Sequence, residues 1–314
     1  MHRKRVLGLT AAAVLLAGCG ASPPPARAEA ALVAVDGDGA VVYDLADGSY
    51  RGVDRSGRQV WRFGAELGDP AAVVCLRHCP DAVFSGGGPA SRVTNGKLER
   101  FDVAGRVLSA HDDHLVLGEE NAVRVTGAAP EPSAGWVENA AGTSAVTVSP
   151  GVRWFDRDGT GWRPGTRADR PGEDACLSPD GRTALVLGEA AALVGRDGPP
   201  SVLATDLPGA PECVFGAAGA VLVEHTVRGE GARHTAMRAV DRAGKPLWAR
   251  DFDSEMFVAA DPRSPRFALS GAARFELLDA GGRVLETRDD VVSASFTGDG
   301  ELVTVLDSGA VTRS

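Results

Sequence analysis

One short hairpin recurs along this chain and limits what it can fold into. Val53-Asp54-Arg55-Ser56-Gly57-Arg58-Gln59-Val60-Trp61 is repeated as Val240-Asp241-Arg242-Ala243-Gly244-Lys245-Pro246-Leu247-Trp248. Weaker copies are Phe101-Asp102-Val103-Ala104-Gly105-Arg106-Val107-Leu108, Phe155-Asp156-Arg157-Asp158-Gly159 ending in Trp162, and Leu278-Asp279-Ala280-Gly281-Gly282-Arg283-Val284-Leu285. An Asp side chain bonds its own turn backbone, and Gly takes the positive φ that a tight hairpin demands. Asp-x-x-Gly is therefore a turn with a mechanism, and each copy fixes an antiparallel strand on either side. A second signature places turns elsewhere: Leu177-Ser178-Pro179-Asp180-Gly181-Arg182, Phe296-Thr297-Gly298-Asp299-Gly300 and Asp261-Pro262-Arg263-Ser264 each precede an apolar run. The clearest apolar second strands start near Val33, Val83, Val116, Val146, Leu185, Val221, Phe267 and Val303, a mean separation of about 39 residues. No long helical period competes with this pattern.

The N-terminus carries a different message. Met1-His2-Arg3-Lys4-Arg5 leads into an apolar run from Val6 to Ala17, and Leu16-Ala17-Gly18 precedes Cys19. A basic start, a short apolar run and small residues before the cut make a secretory signal. About 12 apolar residues fall short of the roughly 20 that span a bilayer. Leu-Ala-Gly-Cys resembles the lipobox of bacterial lipoproteins. That resemblance implies diacylglycerol on the Cys19 sulfur and an extracytoplasmic chain anchored to the cell membrane, since two acyl chains hold stably where one does not. Arg3-Lys4-Arg5 has no adjacent Arg pair, which favours the general secretory route. Residues 20–30 include Pro23-Pro24-Pro25 and read as an extended tether of roughly 30 Å. The chain thus divides into a signal peptide (1–18), a lipidated Cys with its tether (19–30) and one folded domain (31–314).

Without residues 1–18 the Lys+Arg count falls from 33 to 30 against 42 Asp+Glu, a net charge of −12. That balance opposes nucleic acid as a partner and broad contact with anionic headgroups. The bias toward Ala, Gly, Arg and Val, with no Ile, matches a GC-rich genome of the actinobacterial kind. Four further cysteines, Cys75, Cys79, Cys176 and Cys213, favour disulfides in an exported chain. Three pairings are open, and Cys75–Cys79 with Cys176–Cys213 is the most economical. Chain entropy assigns about 2 kcal/mol to the first and about 4 to the second.

The Ser178-Pro179-Asp180-Gly181 hairpin resembles the WD40-like periplasmic repeat. The Asp-x-x-Gly-x-x-x-Trp hairpin is similar to the repeat of quinoprotein-like propellers. Together they cover nearly all of 31–314 and thin out around 112–142. The resemblance implies an all-β fold, a single β-propeller of four-stranded antiparallel blades. Seven blades are favoured, with six or eight open. The closing blade is expected to combine strands from 291–313 with one from near Ala31, which would remove open sheet edges. Cys176 and Cys213 hold like positions in successive repeats, so their disulfide would staple neighbouring blades at their first strands.

Signatures of chemistry are sparse. There is no Gly-x-Ser-x-Gly, His-Glu-x-x-His or phosphate loop. His111-Asp112-Asp113-His114 is the densest polar cluster and could hold a divalent metal if it forms a tight loop; otherwise it is a solvated inter-strand turn. Asp36-Gly37-Asp38-Gly39 offers two carboxylates to calcium but lacks the further ligands of an EF-hand, and reads as a hairpin turn. Gly229-Glu230-Gly231 reads as a flexible turn. His225 and His234 flank Thr226–Arg233, a long insertion for such a hairpin. Trp61 and Trp248 recur at one repeat position, as packing requires; Trp136 and Trp154 are less patterned, and one of them could line a ligand mouth. The function expected is a non-catalytic binding or scaffold module for a protein or cell-wall ligand, with no cofactor beyond the lipid. The alternative is a metal-dependent propeller enzyme, either a lactonase-like hydrolase using calcium or a quinoprotein-like oxidoreductase. The adjacent Cys-Cys pair of quinoprotein dehydrogenases is missing here.

Overall fold

The computed structural model describes residues 30–314 apart from 68–69, 71, 77, 87–88, 104, 112–113, 120–121, 126–130, 133–136, 142–143, 148–151, 159–160, 169–171, 173, 189, 197–199, 204–211, 229–231 and 272–273. The described strands form eight antiparallel meanders in chain order. They span 30–63, 72–101, 106–132, 137–168, 174–202, 212–252, 256–288 and 291–313, and are numbered sheet 1 to sheet 8. Seven have four strands and, among the described residues, sheet 8 has three. The first strand of each sheet lies against the first strand of the next, and that of sheet 8 returns to that of sheet 1. The sheets therefore close into a ring.

The apolar second strands explain the stacking. Successive strand residues point to opposite faces. In Thr183–Leu187, Ala184 and Val186 join Val152 and Trp154 of sheet 4. Leu185 and Leu187 point the other way, onto Phe215, Ala220 and Leu222 of sheet 6. A strand buried on both faces must be apolar without interruption. The core is accordingly a series of inter-sheet layers rather than one central mass. Val41, Tyr50 and Trp61 meet Ala82, Phe84 and Val93 between sheets 1 and 2. Ala40, Val42 and Val53 meet Val303, Val305 and Val311 where sheet 1 meets sheet 8. Each fully buried Val, Leu or Phe contributes about 1.5–3 kcal/mol relative to exposure.

The repeated hairpins are one geometry. Asp54 Oδ1 accepts the N–H of Ser56 at 3.0 Å and of Arg58 at 3.1 Å. Asp241 does the same for Ala243 and Lys245, and Asp279 for Gly281 and Arg283. Gly57, Gly244 and Gly282 carry φ of +81°, +86° and +81°. At Gly282 glycine is required twice, because a Cβ there would sit 2.7 Å from the Trp248 Cβ in the neighbouring sheet. The second signature is also built by side chains. Ser178 Oγ donates to Asp180 Oδ1 at 2.6 Å and accepts the Thr183 N–H at 2.9 Å. Thr297 repeats both bonds with Asp299 and the Glu301 N–H.

Turns between strands one and two, and between three and four, lie at the same end of a meander. Both signatures therefore share one face of the ring, where they clip neighbouring sheets together. Arg242 pairs with Asp180 at 2.7 Å across sheets 6 and 5. The Ala217 N–H donates to the Asp261 carbonyl at 2.8 Å across sheets 6 and 7. Arg266 donates to the Gly300 carbonyl at 2.9 Å across sheets 7 and 8. Arg313 donates to the carbonyls of Asp36 at 2.9 Å and Gly39 at 2.8 Å, and pairs with Glu301 at 2.7 Å, joining sheet 8 to sheet 1. Asp36 Oδ2 accepts the Cys79 N–H across sheets 1 and 2.

Two expectations are corrected. The strand near Ala31 does not complete the last sheet: Ala30–Val35 pairs with Gly39–Asp44 and opens a sheet of its own. Its tie to sheet 8 is a side-chain bond, the Leu32 N–H to Ser293 Oγ at 2.9 Å. Val33 thus lies in a first strand, and the second strand of sheet 1 is Gly39–Asp44. The other seven apolar starts fall in second strands.

Arg313→Ala removes several charge-assisted bonds at the ring closure, each worth about 1.5–3 kcal/mol. The expected loss in urea unfolding is about 2–4 kcal/mol. Asp180 supplies a pH test. Burial raises its pKa, but the bonds from Ser178, Arg242 and the Arg182 N–H outweigh burial and hold it at about 2, below the ordinary 3.8. Its contribution is therefore present above pH 3.8 and lost as pH falls toward about 2. Wild type should exceed Asp180→Asn by about 1 kcal/mol at pH 6, given solvent screening, and the two should converge near pH 2.

Candidate functional site

The opposite face is formed by the hairpins between second and third strands and by the links between sheets. One hairpin there breaks the pattern. In sheet 6 the strands Gly219–Arg228 and Ala232–Asp241 are ten residues each and stay paired out to Arg228 and Ala232. Their neighbours stop earlier. The first strand reaches only Val223 and the fourth only Thr235. Residues 226–228 and 232–234 therefore project as a two-stranded arm, about 10 Å beyond the sheet at 3.3 Å per residue. The spacing of the sequence reads Thr226–Arg233 as an inserted loop; the structure makes most of it strand.

Thr235 is fully buried at the root of the arm. Its hydroxyl donates to the Ser254 carbonyl at 3.0 Å and accepts the Met256 N–H at 3.0 Å. His225 Nδ1 lies 3.1 Å from the same oxygen. A hydroxyl has one hydrogen to give. With that hydrogen on Ser254, the His225 contact must be donation from Nδ1–H. In the neutral imidazole this bond selects the Nδ1–H tautomer, in which Nε2 is an acceptor. The ring tilts against Phe257, with centroids 5.9 Å apart. Phe257 is 50% exposed and Val227, further out on the arm, 70%. Arg233 and Glu255 form an ion pair beside them. This is an oriented hydrogen-bond acceptor between apolar surfaces. It suits a ligand that brings a donor flanked by apolar groups.

The residues singled out from sequence fall elsewhere. Cys19, Asp112, Asp113, Trp136 and Gly229-Glu230-Gly231 lie outside the described residues. His111 ends one strand of sheet 3 and His114 starts the next, with the two backbones in direct register. Cys75 is bonded to Cys79 with Cα atoms 5.1 Å apart, and Cys176 to Cys213 at 6.0 Å. The second bond joins the first strands of sheets 5 and 6. Asp36 Oδ1 accepts the N–H of Asp38 and Gly39, and Asp38 pairs with His78 at 2.6 Å. Both carboxylates of the calcium candidate are thus engaged by protein donors. Among the described residues, three metal-ligating atoms come close together at Asp36, Cys75 and Cys79, but the two sulfurs are bonded to each other. Trp154 is fully buried between sheets 4 and 5 and lines no mouth. Phe257 gave no sequence signal, because an exposed Phe and a core Phe look alike in a strand.

The chain is similar in structure to several solved proteins. One is Citrobacter koseri AztD, at 10% identity and TM-score 0.55, covering 83% of this chain and 85% of that one. Another is the dihydro-heme d1 dehydrogenase NirN, at 16% identity and TM-score 0.54, covering 90% and 71%. The WD40 β-propeller domain of Doa1 aligns over 92% of each chain, at 12% identity and TM-score 0.47. No protein-family model and no curated protein matches the sequence. The protein is an all-β chain with the β-propeller fold.

Thr235→Val keeps the shape but removes the hydroxyl that holds three partners. A stability loss of about 1–3 kcal/mol is expected. Nitrogen-15 NMR of His225 should show the Nδ1–H tautomer in wild type and a tautomer mixture in the variant; the same mixture in both would contradict the assignment.

Proposed function

We propose that the protein is a membrane-anchored, extracytoplasmic binding module that grips a protein or cell-envelope ligand with the arm of sheet 6. Diacylglycerol on Cys19 is the anchor in this reading, and residues 20–29 are its tether. The observation that carries it is the arm, which overhangs a ring whose other face is occupied by sheet-to-sheet clips. Loops and hairpins raised on a rigid scaffold are where binding residues collect. Val227 and Phe257 are apolar yet open to solvent, beside an imidazole held in one orientation. The Thr235 hydroxyl next to that imidazole is committed to Ser254 and Met256, so it positions the ring and is not free to attack a substrate. That favours binding over chemistry.

A photoreactive residue at Val227 should give one discrete adduct in the native cells. The same residue at Ala243, exposed at the opposite end of sheet 6, should give none. The Val227 adduct should weaken at least tenfold with His225→Ala and Phe257→Ala combined. Equal labelling at both positions, or no adduct at Val227, would count against the arm as the binding element.

A further inference from the structure

We propose that the side of the arm turned toward sheet 5 is a second binding site, and that it takes a primary ammonium group. Register separates the two sides. Directly paired residues share a face, and faces alternate along a strand. Val221, Val223 and Met237 pack toward sheet 7, and His225 and Thr235 continue that side outward. Leu222 and Val240 pack toward sheet 5. Glu224, Thr226, His234 and Ala236 continue this second side. It shares no residue with the His225 and Phe257 surface, and binding here does not depend on binding there.

Three polar groups on this side are buried and unmatched. Glu224 is 7% exposed and His234 9%. The Thr226 hydroxyl oxygen is closed to solvent and unbonded. Among the described residues, neither the Glu224 carboxylate nor the His234 imidazole has a hydrogen bond or ion pair. Other buried carboxylates are provided for: Asp261 by Arg266, and Glu276 by Arg250 and Arg274. A buried carboxylate without a donor costs free energy until one arrives. Thr226 and His234 stand directly opposite each other, with Cβ atoms about 5 Å apart, and Glu224 lies on the diagonal, about 7 Å from His234. Ala236, opposite Glu224, adds only a methyl group to the space between them. The groups that converge are acceptors: a carboxylate oxygen, the unprotonated imidazole nitrogen, and the Thr226 hydroxyl after a turn about its Cα–Cβ bond. A primary ammonium carries three N–H donors and no acceptor, so each hydrogen finds a partner and its charge offsets the carboxylate. A planar guanidinium, with five donors, would leave some unmet. A metal ion is served less well. Among the described residues, three metal-ligating atoms converge at Asp36, Cys75 and Cys79 and not at the arm. The chain's net charge of −9 also favours a cationic ligand.

Calorimetric titration of the full chain with n-pentylamine, and with 1-pentanol as the uncharged control, tests the site. Pentylamine should bind saturably and raise the melting midpoint, and pentanol should do neither. Glu224→Gln should weaken pentylamine at least tenfold and Thr226→Val several-fold. Glu286→Gln, the same change on an exposed outer strand, should leave binding unaltered. Without ligand, Glu224→Gln should melt no lower than wild type, because the carboxylate it removes is unpaired; this separates a lost site from a misfolded chain. Acetyl-Gly-Lys-Gly-amide that displaces pentylamine would identify the ligand group as a lysine side chain, and pentylamine binding that the peptide leaves undisturbed would identify a free amine. Absence of saturable pentylamine binding, or equal binding to wild type and Glu224→Gln, would overturn the proposal. So would a Glu224→Gln protein that melts well below wild type, or zinc ion bound at Glu224 and His234 more tightly than pentylamine.

Discussion

Face-to-face packing of neighbouring sheets is the contact on which everything else depends. A meander of four short strands cannot bury both of its faces alone. Each sheet here borrows one face from the sheet before and one from the sheet after. Such a series is stable only if its last member finds the first. The Val303, Val305 and Val311 layer against Ala40, Val42 and Val53 makes that contact, and Arg313 locks it with bonds to two backbone carbonyls. The disulfide between Cys176 and Cys213 strengthens one junction of the ring in the same way, by tying first strand to first strand.

Closure leaves the two faces with different work. On one face the recurrent Asp turns serve two ends at once: they reverse the chain, and they engage the neighbouring sheet. Gly282 against Trp248 and Arg242 against Asp180 are instances. Side chains so engaged have little freedom to recognise anything else. The other face also carries sheet-to-sheet bonds, such as Arg51 to the Gly309 carbonyl at 2.7 Å between sheets 1 and 8. There sheet 6 extends its central strands without weakening the ring, because the extra residues bond each other. Thr235 then ties the base of the arm to the incoming strand of sheet 7, so the projection has a fixed foundation.

Much of this was legible in the residues. Asp-x-x-Gly announced its own turn because the mechanism is local, and the double-sided burial of second strands wrote uninterrupted apolar runs into the sequence. What failed was non-local. Ala30–Val35 looks like any edge strand, and only its pairing with Gly39–Asp44 shows that it begins a sheet rather than finishing one. Trp154 lacked a repeat position and so resembled a ligand-facing residue, yet it is core. The candidate site was half legible. The interval between His225 and His234 stood out by length, but the hub at Thr235 joins residues some twenty positions apart, and no spacing rule announces it.

We propose that this ring uses its recurrent Asp turns to hold the sheets together and the arm of sheet 6 to meet a partner. Hydrogen exchange of the full chain in native membranes, compared with its Cys19→Ser form free in solution, tests that division most directly. The predicted result is slowed exchange at 224–236 and 253–257, with the turns at 54–58 and 241–245 unchanged. Slowing confined to those turns, with the arm exchanging alike in both forms, would contradict it.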